Sequence, residues 1–296
     1  MAASSSSQPF PGNPRTVPYY LGQAIGEAAD ALLAAGVAEP RREAVTLAVW
    51  AADASMAAVL AHPERELRRD EEARLRQAVR RRVRREPLAY ITGRVEFYSL
   101  ELEVDRRVIV PRPETEHVVE QALAAARGFD QPLIADVGAG SGCIAVALAH
   151  SLQRAVVYAT DASADALEVA AANIRRHHLE ARVRPLEGDL LAPLPAPVHV
   201  IASNPPYVAT GEFPGLMPEV RDFEPRGALD GGADGLSVIR PLIEVSPARL
   251  LAGGALVMEI GAGQGAAVLA LARERFGRAR IERDLAGHDR VLIAER

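Results

Sequence analysis

The chain has 296 residues, 49% hydrophobic and 25% charged, the balance of a folded globular protein and not of a disordered one. One cysteine excludes an internal disulfide framework and a cysteine-rich zinc module. All 34 basic residues are arginine, which excludes Schiff-base and lysine-nucleophile chemistry, and the net charge of −5 speaks against a protein held on nucleic acid by a global positive field.

In chain order, residues 1–16 are rich in Ser and Pro and lack the apolar run of a secretory signal, so a disordered tail is expected. No run reaches 18 consecutive apolar residues, so no transmembrane helix is expected. Residues 17–86 read as a helical domain. Leu21, Ala24, Ile25 and Ala28 follow the i, i+3, i+4, i+7 spacing of a buried helix face. A second helix is expected from Arg41 to Leu60, and a third from about Asp70 to Arg85 with Asp70 as its N-cap. Seven arginines with no acid among them lie between Arg74 and Arg85. They suit a solvated face near the negative helix end, or else a docking surface for an acidic or RNA-associated partner. Pro87 should end the helix. Residues 87–110 then read as a hairpin linker, with strand-like runs at Val95–Tyr98, Leu100–Val104 and Val108–Val110.

Residues 111–296 change character. After a helix ending near Arg127, apolar runs at Leu133–Val137, Ala155–Thr160, Arg182–Leu186, Val198–Ser203 and Ala255–Ile260 alternate with helical stretches at Gly142–Leu152, Ala164–His177, Ser237–Leu250 and Gln264–Arg275. Such alternation predicts a mainly parallel sheet covered on both faces. Arg280–Arg283 and Arg290–Ala294 lie too close together for a crossover helix and should pair antiparallel.

Three features carry chemistry. Gly138-Ala139-Gly140-Ser141-Gly142 leaves a strand and opens a helix, where glycines let the backbone approach a ligand and the helix N-terminus adds free N–H groups. Its third glycine comes two positions after the second, not three, so it is not the dinucleotide fingerprint. Asp161, at the end of the next strand, can accept both hydroxyls of a ribose, and Asp189, after the strand that follows, is placed to touch a base. A second glycine run, Gly261-Ala262-Gly263-Gln264-Gly265, reads as a plain strand-to-helix turn. Finally, Ser203-Asn204-Pro205-Pro206-Tyr207 follows the fourth strand. Its prolines stiffen an extended loop. The Asn204 amide oxygen and the Pro205 carbonyl offer two acceptors that match a planar –NH2 group, with Tyr207 as an aromatic wall.

The glycine loop, Asp161 and Asn-Pro-Pro-Tyr in this order resemble class I S-adenosylmethionine-dependent methyltransferases that modify planar –NH2 groups. Glu86–Gly93, Val110–Glu116, Phe223-Glu224-Pro225 and Asp284–Arg290 narrow the resemblance to the HemK/PrmC family, the peptide chain release factor N5-glutamine methyltransferases. It spans about Tyr19 to the C-terminus; Ala139 stands where Thr is commoner. The resemblance implies an α/β fold with a Rossmann-like, mostly parallel seven-stranded sheet and an antiparallel C-terminal strand, joined by a β-hairpin to a small helical domain that docks the substrate. It implies a cofactor site at Gly138, Ala139, Gly140, Ser141, Gly142, Asp161, Asp189, Leu190 and Asn204, and a glutamine site at Asn204, Pro205, Pro206 and Tyr207. No metal and no dedicated base are implied. The expected enzyme is a cytoplasmic monomer whose protein substrates are class 1 release factors, methylated in their Gly-Gly-Gln motif. A ribosomal-protein glutamine methyltransferase and, further off, a DNA or RNA adenine amino methyltransferase share the acceptor pair; the latter would need base flipping and a positive groove.

Overall fold

The computed structural model describes residues 18–284 and 286–296; the tail expected over 1–16 lies outside them. Contacts divide the chain into two units between Thr92 and Gly93.

The first unit is helical: α1 Leu21–Ala34, α2 Pro40–Ala52, α3 Met56–Ala61, α4 Arg69–Val83 and α5 Leu88–Thr92. The α1 stripe buries Leu21, Ala24, Ile25, Ala28, Ala29 and Leu32, as its spacing predicts. The single helix expected over Arg41–Leu60 is two. Asp53 turns left-handed at φ 47°, and the Ser55 hydroxyl accepts the Ala58 N–H to start α3. Asp and Ser at these positions compete for backbone hydrogen bonds and favour a break. Asp70 is not the N-cap of α4; Arg68 holds that position, and the buried Glu71 carboxylate accepts the Arg68 N–H. Pro87 opens the short α5, which the sequence reading missed, and the chain turns before it at Arg85, φ 67°.

The arginine-rich stretch is largely internal structure. Arg81 holds Glu86 with two hydrogen bonds of 2.8 and 2.9 Å and also reaches the Tyr90 carbonyl. Arg82 pairs with Glu43 of α2, and Arg85 donates to the Ala35 and Gly36 carbonyls beyond α1. Arg74 and Arg76 pair with Asp70 and Glu72 one turn back. The Arg81, Arg82 and Arg85 guanidiniums tie the end of α4 to its neighbours, so reversing their charge would damage the fold before it tested any docking role. Arg82→Ala is expected to lower the unfolding free energy by about 2–3 kcal/mol in urea denaturation, because Glu43 is left without its cation at a site where the Arg82 side chain is only 6% exposed.

The second unit begins with a hairpin, β1 Arg94–Phe97 and β2 Leu100–Glu103, closed by Tyr98 and Ser99 with positive φ. Val108–Val110 is not a strand. The hairpin packs into this unit: Phe97, Leu100 and Leu102 join its core, and the Asn173 amide bonds both the N–H and the C=O of Glu103. Then follow α6 Glu116–Ala126, β3 Leu133–Val137, α7 Cys143–Ser151, β4 Val156–Asp161, α8 Ala164–Arg176, β5 Val183–Glu187, β6 Val198–Ser203, α9 Pro218–Phe223, α10 Ile239–Arg249, β7 Leu250–Glu259, α11 Gly265–Arg273, β8 Arg278–Arg283 and β9 Asp289–Glu295.

The seven-stranded sheet runs β5-β4-β3-β6-β7-β9-β8. Strands β3 to β7 are parallel, and β9 is antiparallel to both neighbours. This is the Rossmann-like, class I methyltransferase order expected from the sequence. Successive residues face opposite cores. Ile134, Val157 and Val200 pack on the side of α6 and α7, while Ala135, Tyr158 and Ile201 pack on the side of α10 and α11. Burial on both faces explains the near-continuous apolar strands. The strand order reverses between β3 and β6, which opens a crevice at the carboxyl ends of the strands. Register makes those ends level: Val137 lies beside Thr160 and Ser203, and Ser203 beside Met258.

Candidate active site

The loop after β3 turns through Gly138, Gly140 and Gly142 at φ 72°, 54° and 77°, a region that costs a side-chain-bearing residue energy. The Gly138 and Ala139 N–H groups donate to the Thr160 carbonyl at 2.8 and 2.9 Å. The Gly140 N–H donates to Asp161 Oδ2, and the Ser163 N–H to Asp161 Oδ1, each at 2.9 Å. The carboxylate is thus fixed by one backbone donor per oxygen, with a further lone pair on each. Beside it, Leu190 holds a left-handed backbone at φ 47°, and its carbonyl accepts the Thr160 hydroxyl at 2.9 Å. A branched residue in that conformation is strained and is held there by its surroundings.

These groups face a cavity of about 460 Å³. Gly138, Gly140, Asp161, Asp189, Leu190, Asn204, Pro205 and Pro206 all line it. Ala139, Ser141, Gly142 and Tyr207 do not. Gly142 instead lets the loop approach α8, since a Cβ there would sit 3.1 Å from that of Ala170, and the Ser141 carbonyl accepts from Asn173. Tyr207 is drawn away from the cavity: its hydroxyl donates to Glu259 at 3.1 Å, and burial pushes it above its ordinary pKa. Arg107, Val108 and Ile109 complete one wall, and Pro225, Gly227 and Ala228 another. No cofactor or substrate motif in the sequence marks these wall residues. Arg112 Nη2 donates to the buried Glu224 at 2.5 Å, tying the segment beside Pro225 to the one after the hairpin.

At the β6 end, the Ser203 hydroxyl donates to the Val137 carbonyl at 2.7 Å and holds the two strand ends together. Asn204 Nδ2 donates to Thr115 Oγ1 at 3.0 Å, and the Thr115 hydroxyl donates to Glu259 Oε2 at 2.6 Å. Register brings Glu259 here, because it follows Met258, the partner of Ser203. The glycine run after β7 is the strand-to-helix turn expected, with an added task. Gln264 accepts the Gly261 N–H and donates to the Tyr207 and Gly235 carbonyls, which pins the far end of the Asn-Pro-Pro-Tyr segment. Thr115, Glu224, Glu259 and Gln264 had no role in the sequence reading. For Glu259 a signal existed: it is an acid closing an apolar strand, Ala255 to Met258, and a buried carboxylate needs partners.

Asp136, under the glycine loop, is fully buried. Its Oδ2 accepts the Ala145 N–H at 2.9 Å while Oδ1 has no protein partner. Burial pushes its pKa from 3.8 up to about 7. Between those values the folded chain holds a proton that the unfolded chain releases, so Asp136 contributes a stability that is present at low pH and lost as pH rises through 7. Asp136→Asn is expected to lack this slope, so the stability difference between wild type and variant in urea should fall as pH rises over that range, by at most about 1.4 kcal/mol per pH unit. Burial, with Asp136 nearby, likewise pushes the Cys143 thiol up to about 12. Among the described residues no group of three or more His, Cys, Asp or Glu is placed to hold a metal ion, and no helix is long and apolar enough to cross a membrane.

Residues 23–93 match the PrmC N-terminal domain and residues 118–215 the methyltransferase small domain. Over 279 residues the chain is 46% identical to the release factor glutamine methyltransferase of Moorella thermoacetica, covering 93% of this chain and 98% of that one. The chain belongs to the release factor glutamine methyltransferase family. Proteins of the same name from Gloeobacter violaceus and Thermosynechococcus vestitus are 45% and 44% identical over 70% and 73% of the chain, covering 73% and 76% of their own lengths. This family member is therefore an S-adenosylmethionine-dependent methyltransferase. The cavity suits that cofactor: left-handed glycines bare the backbone, an anchored carboxylate faces it, and its volume is that of a small-molecule site.

Proposed function

We propose that the enzyme methylates the side-chain nitrogen (N5) of the glutamine in the Gly-Gly-Gln motif of class 1 release factors. The observation that carries this reading is the position of Asn204, Pro205 and Pro206 in the wall of the same cavity as Gly138, Gly140 and Asp161. A pair of hydrogen-bond acceptors in the same cavity as residues read as cofactor groups, in a chain similar over 93% of its length to a release factor glutamine methyltransferase, supports the reading. In this reading Asp161 takes the ribose hydroxyls, Asp189 and Leu190 flank the base, and residues 138–142 shape the loop around the rest. Residues 17–86, which hold α1 to α4, dock the protein substrate, residues 87–110 join them to the catalytic part, and residues 111–296 carry the chemistry.

Bound in the cavity, S-adenosylmethionine supplies an electrophilic methyl group. The chain's own task is orientation, because an amide nitrogen is a poor nucleophile with its lone pair delocalised into the carbonyl. Asn204 Oδ1 and the Pro205 carbonyl accept the two N–H bonds of the glutamine amide and leave its nitrogen facing the methyl group. Alignment of this kind is worth several kcal/mol, out of roughly 7–11 for well-oriented reactions. The same acceptors stabilise the positive charge that develops on nitrogen, and the proton leaves after transfer. Incubation with labelled cofactor and a release factor, a ribosomal protein mixture or DNA tests the reading. Mass spectrometry is expected to find the mass of one added CH2 on the Gly-Gly-Gln glutamine. Label confined to ribosomal protein or to DNA would overturn it.

A further inference from the structure

We propose that Thr115 and Glu259 are positioning residues that decide which end of the Asn204 side-chain amide faces the substrate. The inference rests on the reading of Asn204 as an acceptor. An Asn amide has an oxygen at one end and an NH2 at the other, of nearly the same size, so shape alone does not choose between them. Turned the wrong way, Asn204 would present donors to the donors of a substrate –NH2 group and repel it.

The hydrogen-bond directions make the choice. The Glu259 side chain is buried, 1% exposed, at the end of β7. Its Oε2 accepts the Thr115 hydroxyl at 2.6 Å and its Oε1 accepts the Tyr207 hydroxyl at 3.1 Å. An ionised carboxylate only accepts, so Thr115 must give its single proton to Glu259. The Thr115 oxygen can then only accept, and the group 3.0 Å away that donates to it is Asn204 Nδ2. With Nδ2 committed there, Oδ1 is the end left for the cavity that Asn204 lines. Burial, the largest influence, raises the Glu259 pKa above the ordinary carboxylate value, and the Thr115 and Tyr207 hydroxyls with the Arg290 charge oppose it; the accepting role taken for Glu259 stands on geometry, one hydroxyl donor on each oxygen. Thr115 is itself 1% exposed, and hydrogen bonds in such a buried chain strengthen one another. Three separate segments meet here: the turn before α6, the end of β6 and the end of β7. Glu259 thus selects for an –NH2 group without touching it.

The test compares single-turnover methylation of a release factor, and cofactor affinity by calorimetry, for the full-length wild type, Thr115→Val, Thr115→Ser, Glu259→Gln, Asn204→Ala and Asn204→Ala/Thr115→Val. Thr115→Val removes the acceptor that holds Nδ2. Glu259→Gln puts an NH2 donor against Thr115 and lets its hydroxyl turn toward Asn204. Each is expected to slow methylation about 100-fold, the scale of a small misplacement of reacting groups, with cofactor affinity within about twofold of wild type. Thr115→Ser keeps the hydroxyl and should stay within about threefold of the wild-type rate, a rescue that a merely space-filling role for the threonine would not give. In the Asn204→Ala background Thr115→Val should cost less than about twofold more, because the group it positions is gone. A wild-type rate in Thr115→Val beside a crippled Asn204→Ala would overturn the inference and leave the reading standing. So would equal losses in Thr115→Ser and Thr115→Val; the serine variant and Glu259→Gln decide the matter even if Thr115→Val does not fold. A wild-type enzyme that leaves the release-factor glutamine unmodified would overturn the reading, and the inference with it.

Discussion

Asn204→Ala is expected to lower the single-turnover rate of methyl transfer by roughly 100- to 1,000-fold, the range seen when one preorganised hydrogen-bonding group is removed from a transition-state site. S-adenosylmethionine affinity should change by less than about threefold, because loss of a transition-state contact leaves ground-state binding nearly untouched. Asn204 follows β6, while the loop of Gly138 and Gly140 and the Asp161 carboxylate follow β3 and β4 and stay in place in the variant. Single-turnover rates with calorimetry on the same preparations check both halves. An unchanged rate would remove Asn204 from the mechanism. A rate that fell only in proportion to cofactor affinity would make it a cofactor-binding residue. Asn204→Asp is the sharper comparison. It keeps an acceptor but loses the Nδ2 donor to Thr115 and puts a second carboxylate close to Glu259. It should therefore be slower than wild type although its substrate-facing chemistry is preserved.

Asp161→Ala is expected to weaken S-adenosylmethionine binding by at least about 100-fold in calorimetry. Hydrogen bonds to a charged group contribute about 1.5–3 kcal/mol each, two of them would join the carboxylate to a ribose, and about 2.7 kcal/mol already corresponds to 100-fold. The substitution also frees the Gly140 and Ser163 N–H groups, which Asp161 now holds. Part of the loss would come from a loosened loop. Asp161→Asn separates the two causes. Its amide oxygen can still accept one backbone N–H, so the loop should hold better than in the alanine variant, while one ribose acceptor becomes a donor. If Asp161→Ala bound the cofactor as tightly as wild type, the nucleoside end of the cavity would have to be sought elsewhere.

Much of the second unit was legible in the sequence because its strands are buried on both faces. Continuous apolar runs such as Val198–Ser203 stand out, and each ends in a residue of a different kind: Gly138, Asp161, Asn204. Boundaries were missed where local chemistry competes with periodicity. Asp53 and Ser55 break what reads as one amphipathic stretch, and β7 begins at Leu250, well before the expected Ala255. The arginine-rich segment shows the limit of charge counting. Seven cations within twelve residues look like an exposed surface, yet Arg81, Arg82 and Arg85 bind Glu86, Glu43 and the Gly36 carbonyl, residues that lie on other elements or beyond the helix end. The site was legible in part for a related reason. Asn-Pro-Pro-Tyr is a local motif whose stiffness follows from its prolines, but Tyr207 does not form the cavity wall that its aromatic ring suggested. Its hydroxyl finds a buried carboxylate on the neighbouring strand, and no local pattern could have indicated that.

The sequence by itself determined most elements of the second unit, their α/β alternation, the glycine loop and the acceptor pair of Asn204 and Pro205. Each depends on residues a few positions apart, through propensity, proline geometry or strand period. The tertiary structure alone decided how those acceptors are aimed. Parallel pairing sets Ser203 beside Met258, and so brings Glu259 to Asn204 across 55 residues of chain, with Thr115 from before α6 between them. Hydrogen-bond direction is a property of groups that meet in space, and here those groups come from three distant segments. It also gives the lysine-free, one-cysteine composition its sense: the selectivity proposed for this site needs a carboxylate, two hydroxyls, an amide and a backbone carbonyl, with the carboxylate and the Thr115 hydroxyl buried.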